Sequence, residues 1–323
     1  MNTVPSPKKA AFVTLLGRPS SGKSTLVNQL CGEQVAIVSP VPQTTRNAIR
    51  GIVNHNLGQL VLIDTPGVHQ SEKKFNRHLT DTAFRAASES DLILYVLDAS
   101  RAPGPEEEAI ADRCRSLVLE TETQIPLVVA VNKIDLSSAD IDRAVKFING
   151  RFTAMEENRI IPISAQKNEG IDKLLSILFE LASPGEAFYP EDYYTDQEMD
   201  FRIAEIIRGA AIRFLHQELP HSIYVEVADR ELHSPEKNNG ADDKILHTQH
   251  TLRLWIRAFI ICERESQKGM IVGKGGKTIK AIGEISRKEL NRIFDWKVDL
   301  DLRVKTGKDW RHNDRILQKL LDR

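Results

Sequence analysis

Short apolar runs recur through the first half of the chain, each ending at a glycine, an acid, an asparagine or a serine: AAFVTLLG (10–17), QLVLIDTPG (59–67), DLILYVLDA (91–99), PLVVAVNKID (126–135) and IIPIS (160–164). A run with no polar alternation has no face to offer water, so it must be buried on both sides. Such runs are the strands of a mostly parallel sheet covered by crossover helices. The expected class is a doubly wound α/β domain, whose ligands gather at the carboxyl ends of the strands. The residues that end the runs are therefore the ones to inspect.

The first run ends in GRPSSGKS (17–24), a match to G-x-x-x-x-G-K-S/T through Gly17, Gly22, Lys23 and Ser24. A strand precedes it and KSTLVNQLCG can open a helix, the context in which backbone N–H groups wrap phosphates at a helix N-terminus. Lys23 is placed to neutralise β- and γ-phosphates and the Ser24 hydroxyl to ligate Mg²⁺. The alternative is a glycine turn that holds no nucleotide. The second run ends in Asp64-Thr65-Pro66-Gly67, where Asp64 can hold Mg²⁺ through water and the Gly67 N–H can meet a γ-phosphate.

The fourth run names the base. Asn132, Lys133 and Asp135 close it, and a carboxylate at that point can accept from both N1–H and the 2-amino group of guanine. Adenine leaves the same carboxylate unpaired, which discriminates strongly. Asn132 can fix the N7 side and brace the loop, the Lys133 stem can cover the base plane, and the N–H of Ala165, after Ser164, can donate to O6. The expected nucleotide contacts are thus Gly17, Arg18, Pro19, Ser20, Ser21, Gly22, Lys23, Ser24, Thr25, Asp64, Thr65, Pro66, Gly67, Asn132, Lys133, Asp135, Ser164 and Ala165.

A second Gly-Lys-Thr, Gly276-Lys277-Thr278, lies in GMIVGKGGKTIKAIG (269–283). It is no phosphate loop, because Ile271 stands where the first glycine is required. What stands there is Gly273-Lys274-Gly275-Gly276, a G-x-x-G turn leading into a helix near Lys277 with Ile279, Ile282, Leu290 and Ile293 on its buried face. That is the arrangement of a KH domain, where the turn clamps a single-stranded nucleic-acid backbone. The glycines admit the sugar–phosphate chain, and Lys274, Lys277 and Lys280 supply charge.

Charge and organisation fit two parts. Residues 1–199 carry 20 Lys and Arg against 26 Asp and Glu, whereas residues 200–323 carry 24 against 19. The basic surplus belongs to the part expected to meet a polyanion. The boundaries expected are a nucleotide domain at 8–182, a linker at 183–199 in the Pro- and Tyr-rich SPGEAFYPEDYYTDQEM, and a KH domain at 200–323 with its G-x-x-G at 273–276. The second part reads α-β-β-α-α-β, with Leu252, Leu254, Ile256, Ala258 and Ile260 on one strand face. The polar stretch Arg230–Gln249 reads as a long hairpin connection. No apolar run reaches the roughly 18 residues that would span a bilayer. The three cysteines have no metal spacing, so a reducing cytosol fits.

GRPSSGKST, PQTTR, DTPG, NKID and SA resemble the motif set of translation-factor-type P-loop GTPases. Followed by a KH domain with an intact G-x-x-G, they resemble the Era branch over about nine-tenths of the chain. The resemblance implies an α/β P-loop GTPase domain followed by an α+β type II KH domain, with GTP as substrate and Mg²⁺ as cofactor. Thr45 would belong to switch I, so the metal set is Ser24, Thr45 and Asp64, and the catalytic set Lys23, Thr45, Asp64 and Gly67. Val68 stands where Ras-like enzymes carry a water-orienting Gln, which implies slow intrinsic hydrolysis. Ser20 stands where relatives carry an Asn that helps ligate potassium. The implied role is a GTP-regulated factor in small-subunit ribosome maturation, with small-subunit ribosomal RNA (its 3′ end) and the small ribosomal subunit as partners, no DNA, and a monomeric state. Some family members associate with the inner membrane face. A rival reading from the residues is a constitutive RNA-binding protein whose nucleotide domain only stabilises the fold.

Overall fold

The computed structural model describes residues 7–321 except 40, 42–43, 69–73, 120–123, 154–155, 234–251 and 295. The chain divides into two compact units, Met1–Asp196 and Gln197–Arg323.

The apolar runs are the strands expected. β1 (Lys9–Leu16), β2 (Ile49–His55), β3 (Gly58–Asp64), β4 (Leu92–Asp98), β5 (Leu127–Asn132) and β6 (Ile160–Pro162) form a sheet of order β2-β3-β1-β4-β5-β6. All neighbours are parallel except β2 and β3, which form a hairpin. Every residue of β4 and β5 is buried, which is why their sequences show no alternation. β2 was not among the apolar runs; its pattern is broken by the exposed Arg50, Asn54 and His55 of a sheet-edge strand. Helices α1 (Lys23–Cys31), α2 (Lys74–Ser88), α3 (Pro105–Leu119), α4 (Ile141–Arg151) and α5 (Ile171–Leu181) complete the layers. In register, Asp64 of β3 faces Leu15 of β1, and Asp98 of β4 faces Asn132 of β5. The functional strand ends thus share one rim of the sheet.

The stretch expected to be a linker is bound to the first unit over most of its length. β7 (Ser183–Pro184) pairs with the start of β1. Gln59 exchanges hydrogen bonds with the Tyr189 backbone at 2.8 and 2.9 Å, Ile52 N–H donates to the Tyr194 carbonyl at 2.9 Å, and Arg50 pairs with Asp196 at 2.9 Å. The segment covers the outer edge of β2 and the Gln59 side chain of β3, giving edge groups partners they would otherwise lack. The change of unit falls after Asp196.

The second unit is α6 (Met199–Ile212), β8 (Ile223–His233), β9 (Arg253–Cys262), α7 (Glu265–Val272), α8 (Lys277–Phe294), β10 (Lys297–Thr306) and α9 (Asp314–Leu321). Its sheet has β9 in the centre, antiparallel to β8 and parallel to β10, the mixed sheet of a type II KH fold. Leu254, Ile256, Ala258 and Ile260 face the α6 and α8 core. On α8, Ile282 and Leu290 are fully buried, whereas Ile279 and Ile293 are half-buried at the margin. The polar stretch begins as strand, since β8 continues to His233; the rest of it lies outside the described residues.

Trp310 is fully buried, lies edge-on to Tyr224 at 5.0 Å and donates its indole N–H to the Ser222 carbonyl at 3.0 Å. Trp310→Ala is expected to cost the second unit roughly 3–5 kcal/mol, read as a lower urea midpoint for that unit with guanine-nucleotide affinity unchanged.

Candidate functional site

Gly17 to Ser24 join β1 to α1. Gly17 and Gly22 adopt φ of 155° and 100°, and neither could carry a side chain. A Cβ on Gly17 would lie 2.5 Å from the Val96 carbonyl oxygen, and one on Gly22 would lie 2.2 Å from Asn132 Nδ2. The loop therefore sits against the sheet and borders a cavity. Pro19, Ser20, Gly22, Lys23, Ser24 and Thr25 line it, together with Thr45, Gly67 and Lys133. The cavity holds about 430 Å³, room for a polyphosphate. Lys23 Nζ donates to the carbonyls of Gly17 and Arg18 at 2.9 and 3.1 Å. Burial pulls its pKa down to about 8, against the supporting charges of Asp64 and Glu107.

The metal corner is assembled. Ser24 Oγ donates to Asp64 Oδ2 at 2.6 Å, Thr45 Oγ1 donates to the same oxygen at 3.2 Å, and the two hydroxyls lie 3.0 Å apart. Asp64 is fully buried and its Oδ1 has no hydrogen-bond partner among the described residues. Burial raises its pKa, with Lys23 and the two hydroxyls opposing. A desolvated carboxylate with a free oxygen beside two hydroxyls is an all-oxygen donor set for a small hard cation, and fits Mg²⁺. Gly67 packs against Pro19, where a Cβ would come within 2.6 Å, and the Val68 N–H donates to the Gly17 carbonyl at 3.1 Å. The Val68 side chain is buried in the core beneath, so it orients no water.

At the base end, Ser164 Oγ donates to Asp135 Oδ1 at 2.6 Å, leaving an exposed carboxylate aimed by a hydroxyl. Asn132 braces the loop as expected, and reaches two further loops besides. Its Nδ2 donates to the Ser21 carbonyl at 2.8 Å, and its Oδ1 accepts from the N–H groups of Lys133 at 2.8 Å and Ala165 at 3.0 Å. The Asn132 amide is thus committed to bracing three loops, and the Ala165 N–H to Asn132 rather than to a base oxygen. The reason is burial: neither group can remain unpaired.

Other expected contacts also turn inward. Arg18 directs its guanidinium to Glu107 at 3.1 Å and Asp98 at 3.8 Å, Thr65 Oγ1 donates to the Leu15 carbonyl at 2.5 Å, and the Ser21 side chain is buried. These residues shape the loops by side chain and can meet a nucleotide only by backbone. Sequence reasoning missed Asp98, which accepts from Lys133 Nζ at 2.7 Å, and Glu107, which accepts from the Tyr95 hydroxyl. It also missed Ile37, Val38, Ser39, Val41, Thr44 and Arg101 in the cavity wall. Asp98 had a signal, an acid ending a buried strand beside Asn132; Glu107 sits in Glu106-Glu107-Glu108, which reads as an ordinary acidic first turn.

In the second unit α7 ends at Gly273, and Gly273, Gly275 and Gly276 have φ of 73°, 60° and 76°. A Cβ on Gly273 would strike Thr278, whereas Gly275 and Gly276 face open space. Lys274, Lys277 and Lys280 are exposed beside them, and Met270 is 62% exposed. A ligand backbone can approach this turn to within contact of its peptides.

Two family models match the chain: "50S ribosome-binding GTPase" over residues 12–133 and "KH domain" over residues 236–311. GTPase Era of Treponema denticola is 48% identical over 312 residues, covering 96% of this chain and 99% of its own. GTPase Era of Borreliella burgdorferi is 42% identical, covering 97% and 100%. The chain belongs to the GTPase Era family. Two solved Era structures, each 31% identical and covering 97% of this chain and 98% of theirs, superpose with TM-scores of 0.83 and 0.84. One is Aquifex aeolicus Era bound to GDP·AlF4⁻, the other Era with MgGDPNP and nucleotides 1506–1542 of 16S ribosomal RNA. As an Era-family member the chain is a GTPase, with the P-loop and KH domains that its motifs imply.

Lys23 supplies a pH test. With its pKa at about 8 before a nucleotide is bound, Lys23 is charged at neutral pH and loses its proton above 8. A bound polyphosphate favours the ammonium, so binding takes up a proton once the free site is neutral. GTP affinity should stay level near pH 7 and weaken above 8, by up to about tenfold per unit, with proton uptake visible by calorimetry in two buffers. An affinity constant from pH 7 to 9 contradicts the assignment.

Proposed function

We propose that this chain is a GTP-controlled RNA-binding protein that engages the 3′ end of small-subunit ribosomal RNA and acts in small-subunit maturation. The observation that carries the reading is the joint presence of a formed guanine-nucleotide site and an intact, open G-x-x-G turn on one chain. The solved Era structure holding both a GTP analogue and a 16S RNA segment supports the choice of RNA. The first matching model is named for the large subunit, so the subunit is itself part of the proposal.

Lys23 holds the phosphates, Ser24, Thr45 and Asp64 hold Mg²⁺, and Asp135 reads the base. When bound, the metal supplies charge neutralisation on the β- and γ-phosphates. Gly67 and Thr45 report whether a γ-phosphate is present. Gly273, Gly275 and Gly276 admit the RNA backbone and Lys274, Lys277 and Lys280 neutralise it. The protein works as a monomer in the cytoplasm. No helix among the described residues is long and apolar enough to cross a membrane, so any membrane association would be peripheral.

The test is the affinity of the full chain for a small-subunit 3′-end oligonucleotide, with a non-hydrolysable GTP analogue and with GDP. A difference of tenfold or more between the two states is expected. Lys274→Asp combined with Gly275→Asp should weaken RNA binding at least tenfold and leave GTP affinity alone. Equal, tight RNA binding in both states favours a constitutive RNA binder, and RNA affinity untouched by the double substitution moves the interface off the G-x-x-G turn.

A further inference from the structure

Three cations line the nucleotide cavity: Lys23, Arg101 and Lys133. Two are committed. The Lys23 ammonium donates to the Gly17 and Arg18 carbonyls, and the Lys133 ammonium donates to Asp98. Arg18, on the phosphate loop itself, is held by Glu107 and Asp98. Arg101 alone among these has no hydrogen-bond or ion-pair partner among the described residues, and its side chain is exposed in the cavity wall.

Its main chain is held by the residues that precede it. Asp98 Oδ1 accepts from the Ser100 N–H at 2.9 Å and from the Ser100 hydroxyl at 2.6 Å. The Ala99 N–H donates to the Asn132 carbonyl at 2.9 Å, and the Ala99 carbonyl accepts from the Asp140 N–H at 3.0 Å. The root of the Arg101 side chain is therefore fixed beside the base loop, while its guanidinium is left to swing. A side chain anchored at the root and unpaired at the tip, in the wall of a polyanion site, is placed to close on the ligand.

We propose that Arg101 is a catalytic residue: its guanidinium closes on the β- and γ-phosphate oxygens of bound GTP and neutralises the charge that builds there during hydrolysis. In that step a water oxygen bonds to Pγ as the bond from Pγ to the β–γ bridging oxygen breaks. The bond pair stays on the β-phosphate of GDP, and the water gives up one proton, which passes to solvent through the departing phosphate. Negative charge grows on the bridging and β-phosphate oxygens. A planar fork of N–H donors matches two such oxygens better than an ammonium does. The site has a use for such a group beside Lys23, because Val68 is a core residue that orients no water and Lys133 is held by Asp98.

The experiment uses the full chain as wild type, Arg101→Ala and Arg101→Lys. Single-turnover hydrolysis at saturating GTP and Mg²⁺ is measured beside the affinities for GTP, GDP and GDP with aluminium fluoride. An arginine supplied in cis or trans can be worth 10³–10⁵ in rate, and for an exposed side chain that must first close we expect roughly 10- to 100-fold. Arg101→Ala should lose that factor with GTP and GDP affinities within about threefold of wild type. Binding of GDP with aluminium fluoride should weaken in step with the rate, and Arg101→Lys should recover part of both. An unchanged saturated rate overturns the proposal. So does a loss of GTP affinity at an unchanged saturated rate, which would make Arg101 a ground-state binding cation only.

Discussion

One buried amide holds the nucleotide site together. Asn132 ties the phosphate loop through Ser21, its own loop through the Lys133 N–H, and the following loop through Ala165. These loops come from strands β1, β5 and β6, which share a sheet but no local sequence. A buried primary amide, with N–H donors on one side and a doubly accepting oxygen on the other, joins them at this point. Gly22 is glycine for the same reason, since a Cβ there would occupy the place of Asn132 Nδ2. The left-handed turn that starts α1 and the guanine loop are thus two consequences of a single contact.

Beneath that clamp lies a layer of buried charge. Asp98 and Glu107 accept from Lys133, Ser100 and Tyr95 and pair ionically with Arg18 in a region almost closed to water. The Lys133 ammonium and its hydrogen bond hold the Asp98 carboxyl below the usual range in spite of burial, whereas burial raises that of Glu107 against its donors. Ion pairs of this kind contribute little net stability, because desolvation offsets the Coulomb gain, yet removing one partner is costly. Their effect is geometric: they fix the phosphate loop to the base loop and to α3. The charges left without full compensation, Lys23 and Asp64, are the two that a triphosphate and its cation would complete.

The parts legible in the sequence were those whose physics is local. Strands buried on both faces announce themselves as unbroken apolar runs. The phosphate loop, Asp64 and Asp135 show because backbone approach, and the metal and guanine roles proposed for the two acids, each demand one residue type at one spacing. The G-x-x-G turn is legible for the same reason, its glycines serving positive φ and an open face. What escaped was long-range pairing. The cover over β2 and β3 depends on Gln59 meeting Tyr189, 130 residues away. Arg18 stands in the phosphate-loop motif, yet Glu107 of α3, 89 residues away, holds its guanidinium. Arg101 carries no motif at all; its place in the cavity wall is set by the turn that Asp98 and Ser100 make.

The account rests on Asn132 as the joint between phosphate and base recognition, and the most direct measurement is calorimetric GTP and GDP affinity for Asn132→Asp. The substitution keeps size and the accepting oxygen but replaces the donor to Ser21 with a second acceptor, setting two oxygens against each other. A replaced buried donor costs about 1–3 kcal/mol, more where charge is involved. The account predicts that GTP and GDP affinities fall together by at least tenfold while the fold, read by circular dichroism, is retained. Unchanged affinity for both nucleotides would contradict it, because the two loops would then be held in place by something other than the Asn132 amide.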